Sequence, residues 1–257
     1  MEILDYNKAP GHWVLAKLGK KVLRPGGKEL TLKLINGLNI NENDTIVEFA
    51  PGLGHTALKT IQKKPKKYIG IDADPQVVSL LSRKFKNPNC FIINAMASST
   101  GLEEESVTKI YGEAMLTMHA DHRKSEIIKE ASRVLQKGGL YAIHEIGLIP
   151  ENISVRIKDE ITKDLAKAIR VNARPLTQSE WIDLLNKEGF KVKLIKTNSM
   201  YLLEPKRMLD DEGLFRTLMI AWNILINKSA RKRVFEMFQV FKKYEKQMNS
   251  IMIIAEK

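Results

Sequence analysis

Thr45-Ile46-Val47-Glu48-Phe49-Ala50-Pro51-Gly52-Leu53-Gly54-His55-Thr56-Ala57 reads as a short buried strand, a glycine turn and the start of a helix. About twenty residues on, Tyr68-Ile69-Gly70-Ile71-Asp72-Ala73-Asp74-Pro75 reads as a second strand that ends in acid. Together the two segments predict a nucleoside-binding crevice. The glycines let the backbone approach a ligand closely, and the acid at the next strand end can grip two ribose hydroxyls.

Outward from this pair, short apolar runs alternate with helical patterns. Strands are predicted at 45–50, 67–72, 90–94, 107–112, 139–146 and 190–197, and helices at 55–63, 75–86, 123–136 and 178–188. Alternation at this spacing implies an α/β fold with a parallel sheet covered on both faces. Gly138-Gly139 turns one helix directly into a strand, and Thr177 or Ser179 is placed to cap the helix that follows Leu176. Before the sheet, residues 1–44 form an N-terminal helical extension. It carries an amphipathic stretch at His12–Leu18, a turn at Arg24-Pro25-Gly26-Gly27, and Leu30, Leu34 and Leu38 at helical spacing. The core domain is expected over 45–200, with a helical lid insertion at about 150–175, and residues 201–257 read as a helical C-terminal extension.

The chain has 257 residues, 44% of them hydrophobic, enough for one large α/β domain with a small appendage. No apolar run approaches the roughly 18 residues that span a bilayer, and Glu2 and Asp5 precede any apolar stretch, unlike a secretory signal. The single cysteine, Cys90, excludes an intramolecular disulfide and points to a reducing, cytoplasmic compartment. The net charge of +12 comes mainly from lysine spread along the chain. It reads first as a solvated surface, and secondly as affinity for an anionic small substrate, RNA or a membrane face.

Taken in order, the residues resemble the class I S-adenosylmethionine-dependent methyltransferases over roughly 40–200. Glu48 to Gly54 is similar to that family's first motif, with Ala50 in place of the first of three alternating glycines and Pro51 inside the turn. Alanine is tolerable there if φ is negative. Asp72, followed by Ala73, matches the acid that binds the ribose. Asn94-Ala95 matches the Asp-Ala beside the adenine, and Lys137-Gly138-Gly139 matches the joint before the fifth strand. A dinucleotide enzyme would instead show G-x-G-x-x-G, whereas position 57 is Ala. The resemblance implies a Rossmann-like sheet with S-adenosylmethionine as cofactor, bound by Glu48, Ala50, Pro51, Gly52, Gly54, Asp72, Ala73, Asn94, Ala95 and Glu113.

The same resemblance places the methyl group near the ends of the first, fourth and fifth strands. Methyl transfer needs alignment, exclusion of water and, for some acceptors, removal of a proton. Glu113, His144 and His119 are the candidate catalytic residues. His144 and Glu145 alternate in direction, so at most one of them enters the crevice. No Asn/Asp-Pro-Pro-Tyr signature stands at the fourth strand end, where Gly112-Glu113-Ala114-Met115 is found, and this favours a small-molecule acceptor. Arg170 and Arg174 share one face if the preceding helix continues, and with Asn172 they are candidates to hold an anionic acceptor. Apolar stripes from Met208 to Leu225 and from Val234 to Tyr244 predict helices that cover the site or form a homodimer. Lys228, Arg231, Lys232 and Arg233 form a basic cluster beside them. The leading expectation is methylation of a small polar or anionic metabolite. An RNA or protein methyltransferase using the basic tail, and a non-catalytic S-adenosylmethionine sensor, stand as alternatives.

Overall fold

Four short apolar runs of the first half, too brief for buried helices, pair as parallel strands. β1 (Thr45–Phe49) lies between β2 (Lys67–Asp72) and β4 (Val107–Glu113), and β2 carries β3 (Cys90–Asn94) on its far side. A computed structural model describes residues 5–200, 203 and 205–257. Glu2 and part of the boundary drawn at 200/201 therefore lie outside the described residues.

β5 (Leu135–Leu148) pairs parallel to β4, and a two-residue strand, β6 (Leu176–Thr177), joins its end. β7 (Lys191–Ser199) does not touch β5. Between them, antiparallel to both, runs β8 (Met248–Glu256), which gives the order β3-β2-β1-β4-β5-β8-β7. Two expectations are corrected here. The sheet is not wholly parallel, and the tail is not wholly helical, because its last residues form a central strand.

The reason β8 hides in the sequence is its burial. Ile251, Ile253 and Ala255 enter the core on one face of the sheet, while Met252 and Ile254 enter the core on the other. A strand buried on both faces shows an unbroken apolar run instead of alternation, so period alone does not separate it from a helix.

Helices cover both faces. α5 (Asp121–Val134) and α7 (Gln178–Lys187) place Ile127, Ile128, Ala131, Trp181 and Leu185 against one face. α2 (Gly27–Gly37) places Leu30, Leu34 and Ile35 against the other. α3 (His55–Ile61) and α4 (Pro75–Lys84) pack through Ala57, Val77 and Leu81 near β2. Thr177 caps α7 in a full capping box with Glu180, so the sequence-level cap is found at Thr177.

The remaining helices make a second core. α1 (Gly11–Lys17), α6 (Val155–Ile169), α8 (Pro205–Glu212), α9 (Leu214–Ile226) and α10 (Lys228–Lys243) bring together Val14, Leu15, Ile161, Leu165, Met208, Ile220 and Met237. The insertion and the tail thus unite with the N-terminal helix in one helical layer.

Because β8 completes both faces, truncating its core should cost more than a surface change. Ile253→Ala, at a fully buried position, is expected to lower unfolding free energy by about 2–5 kcal/mol. Urea denaturation of the variant beside the wild type checks this, and a loss within about 0.5 kcal/mol would contradict the placement of β8.

Candidate functional site

The strand order changes direction between β1 and β4, and ligands of open α/β sheets bind outside the carboxyl ends at such a point. A cleft of about 500 Å³ lies there. Its floor is Glu48, Ala50, Pro51, Gly52, Ile71, Asp72 and Glu113. One side is Ala95, Met96, Ala97, Ser98, Met118, His119 and Arg123, and the other is His12, Trp13, Lys21, Leu23 and Arg24.

The turn after β1 divides its work among three positions. Ala50 has φ +52°, in the left-handed region, and its N–H donates to the Ile71 carbonyl at 2.8 Å. The condition set for alanine, a negative φ, is not met: an L side chain sits where glycine is ordinary, at a cost of roughly 1–2 kcal/mol. Gly52 has φ +53°, and a Cβ there would meet nothing nearer than the Ala50 carbonyl at 4.0 Å. It borders the open cleft, so a side chain at this position would take up ligand space. Gly54 serves packing instead. It is absent from the cleft wall, and a Cβ on it would strike Leu81 at 2.7 Å and Phe85 at 2.8 Å.

Asp72 ends β2 half-buried at the cleft edge. Its Oδ1 accepts the Asp74 amide at 3.0 Å. Burial raises its pKa, and the amides of Asp74, Gly52 and Ala73 oppose that rise. Ala73 and Ala95 also line the cleft. Asn94 does not: it is exposed, and its side-chain amide donates back to the Asp72 carbonyl at 2.9 Å. The apolar wall of Ala95, Met96 and Ala97 replaces it.

Glu113 is the hub. Its Oε1 accepts the Thr31 hydroxyl at 2.5 Å and the His144 Nδ1–H at 2.8 Å, and Arg24 Nε stands 3.1 Å away. Its Oε2 accepts the Thr56 hydroxyl at 2.5 Å. Burial alone would raise the pKa of Glu113. The Arg24 guanidinium, the His144 hydrogen bond and Thr31 outweigh it and bring the pKa down to about 2. Such a carboxylate is an ionised acceptor with its lone pairs committed, a poor proton-abstracting group. His144 is fully buried behind it, outside the cleft wall, with Nε2 enclosed and unpartnered among the described residues. Of the three candidate catalytic residues, His119 alone is a cleft-lining imidazole. Burial and, secondly, Arg123 and Lys124 lower its pKa, so it is neutral and able to take a proton at pH 7. Glu145, on the opposite face, is an anchor: it accepts the amides of Met115, Leu116 and Thr117 and the Thr117 hydroxyl.

Glu48 is buried, and its Oε2 accepts Tyr68 at 2.5 Å and Tyr111 at 2.6 Å. Burial pushes its pKa up to about 7, against the pull of the two phenols.

The proposed acceptor clamp is not assembled. α6 ends at Ile169, Arg170 takes a left-handed φ of +56°, and Arg170, Asn172 and Arg174 are exposed and outside the cleft. The Arg174 backbone braces the turn after β4, with its N–H donating to Thr117 and its carbonyl accepting Lys124. α6 packs on α1 and α10, so the cleft is covered by the segment from His12 to Arg24 instead.

Arg24, Thr31 and Thr56 were not selected from the sequence. A signal was present for one of them: Arg24 precedes Pro25-Gly26-Gly27, and Gly26 has φ +71° with its Cα against Ser250 and His144, where a Cβ would lie 2.2 and 3.2 Å from their side chains. The close approach needs β8, which was itself hidden.

A family model described as a methyltransferase domain matches residues 46–139. An uncharacterised protein of Haemophilus influenzae is 31% identical over 96% of this chain and 98% of its own length. The phosphoethanolamine N-methyltransferase of Plasmodium falciparum is 23% identical over 83% of this chain and 84% of its own. Among solved structures, a phosphoethanolamine N-methyltransferase 2 of Haemonchus contortus, in complex with S-adenosyl-L-methionine, superposes with TM-score 0.72 at 15% identity. It covers 96% of this chain and 56% of that one.

The two glutamates of the cleft floor titrate in opposite senses. Glu113, depressed from 4.5 to about 2, stabilises the fold above pH 4.5, and this is lost as pH falls toward 2. Glu48, raised from 4.5 to about 7, costs stability as pH rises from 4.5 through 7. Glu48→Gln keeps an oxygen acceptor and removes the charge. Relative to wild type, its unfolding free energy is expected to improve by on the order of 3 kcal/mol between pH 4.5 and 7.5, read from urea titrations at each pH. A pH-independent difference would contradict the raised pKa.

Proposed function

This chain belongs to the class I S-adenosylmethionine-dependent methyltransferases, and we propose that it binds S-adenosylmethionine in the cleft and methylates a small, polar, anion-bearing metabolite. The observation that carries the cofactor assignment is the edge formed by Gly52 and Asp72. An open backbone approach and a half-buried carboxylate face the same cavity, which matches a ribose with two vicinal hydroxyls. The apolar wall of Ala95, Met96 and Ala97 suits the flat adenine beside that ribose. Glu48 and Glu113 provide negative charge for the amino acid end of the cofactor. When bound, the cofactor supplies a methyl group on a positively charged sulfur with a neutral leaving group.

The chain's own residues then have three tasks. Trp13, Leu23 and Met118 close the cleft from water. Glu113, fixed by Arg24, Thr31, Thr56 and His144, keeps a permanent negative charge in the floor and orients what lies over it. His119, neutral and cleft-lining, takes the proton from acceptors that must lose one. Lys21 and Arg123 also border the cavity. They are the cations available to an anionic acceptor, in the place first given to Arg170 and Arg174. The likeness to phosphoethanolamine N-methyltransferases supports an acceptor of this polar, charged kind.

Three measurements test this reading. Asp72→Ala should weaken S-adenosylmethionine binding about 10- to 100-fold by calorimetry, as expected for loss of charge-assisted hydrogen bonds worth roughly 1.5–3 kcal/mol. Unchanged affinity would remove the ribose assignment. With labelled S-adenosylmethionine and a fractionated metabolite extract, label should appear in a small anionic product. His119→Ala should lower kcat at least tenfold with cofactor affinity intact, whereas Arg170→Ala should leave both unchanged. Label confined to RNA or protein would overturn the small-acceptor reading.

A further inference from the structure

α9 is apolar toward solvent as well as toward the helical layer, into which it packs Ile220 and Ile224. At 100° per residue, Leu214, Phe215, Leu218, Met219, Trp222, Leu225 and Ile226 occupy one continuous arc of the helix. All of them are exposed, Phe215 to 89% and Trp222 to 64%. The polar residues lie on the opposite arc and turn inward. Thr217 donates to the Met208 carbonyl at 3.0 Å, Asn223 to the Leu18 carbonyl at 3.0 Å, and Arg216 pairs with Glu212 at 3.6 Å. An ordinary surface helix is polar on its outer face, and a contiguous exposed apolar face of this kind marks an interaction site.

The surrounding charge selects the occupant. From Leu214 to Lys243 there are seven basic residues and the single acid Glu236, which is paired with Arg233. Lys228, Arg231 and Lys232 stand exposed at the start of α10, directly after the apolar arc, and Lys206 is exposed on α8. Asp210 is the exposed acid on α8. A second copy of this face would bring like charges together. A lipid surface bearing anionic headgroups would meet both the apolar arc and the cations. With 13 residues, α9 is about 20 Å long and too short to cross a bilayer, but long enough to lie in its interface.

We propose that α9 and the start of α10 dock this protein onto an anionic membrane surface, with the arc of Phe215, Leu218, Trp222 and Leu225 inserted among the headgroups. The docking helix is joined to the cleft wall. Asn223 holds Leu18, a Cβ on Gly19 would lie 2.5 Å from Met219, and the same segment continues to Lys21, Leu23 and Arg24 at the cleft. Membrane seating is independent of which acceptor is methylated.

Flotation of the full chain with vesicles is the test. At about 0.1 M salt, the protein should float with phosphatidylglycerol–phosphatidylcholine vesicles and bind pure phosphatidylcholine at least tenfold more weakly. Trp222 emission should shift to the blue on binding, a change missing in Trp222→Phe. Leu218→Glu with Leu225→Glu should abolish flotation, and Lys228→Glu with Lys232→Glu should reduce it at least tenfold. Both pairs are exposed, so S-adenosylmethionine affinity and thermal midpoint should stay unchanged. No flotation with anionic vesicles would overturn the proposal, and so would flotation unaffected by the leucine changes. A dimer in sedimentation velocity that is lost in the leucine variant, without vesicle binding, would assign the face to self-association instead.

Discussion

The buried carboxylate of Glu113 is the constraint around which the site is arranged. It stands at the end of β4, and the groups that satisfy it come from the N-terminal segment, α2, α3 and β5. An ionised carboxylate out of water is tolerable only with such company, and removal of one partner from a buried pair typically costs about 3–5 kcal/mol. The hub therefore ties the cleft floor to the segment that covers it. Arg24 lines the cleft and neutralises its floor at once, so the covering segment is fixed by charge as well as by packing.

Glu48 lies close by with the contrary balance. Two phenols hold it, but among the described residues no cation pairs with it as Arg24 pairs with Glu113, so burial prevails over the phenols and the weaker pull of Arg24, and its proton is held to about pH 7. Two acids in one floor, pushed to about 2 and about 7, give the cleft one permanent negative charge and one that depends on pH and ligand. A cationic sulfonium and an ammonium are the kinds of group such a floor receives. His144, read from the sequence as a base, is better understood as a positioning residue, since its ring is enclosed and its Nδ1–H is spent on Glu113.

β8 links the hub to the helical layer. It fills the space between β5 and β7, and its Ser250 stands against Gly26 just where the covering segment turns toward Glu113. The tail leaves the sheet region as α8, α9 and α10 and returns to the centre as β8. The apolar outer arc of α9 is thus held on a frame closed by the last strand.

Local sequence determined the sheet from β1 to β5, the two strand-end acids Glu48 and Asp72, the capping box at Thr177 and the membership of a methyltransferase family. Those features depend on short apolar runs bounded by turn residues, glycine spacing and cap chemistry, which a few neighbouring residues encode. Gly52 was legible in the same way, whereas the packing role of Gly54 needed Leu81 and Phe85 beside it. Tertiary structure alone decided what was made by distant residues. Arg24 meets Glu113 across 89 positions of chain, the Arg170–Arg174 clamp dissolves because α6 stops at Ile169, and β8 reads as helix until both its faces are seen to be buried. In each case the deciding quantity is the environment of a side chain, which the sequence of its own segment does not contain.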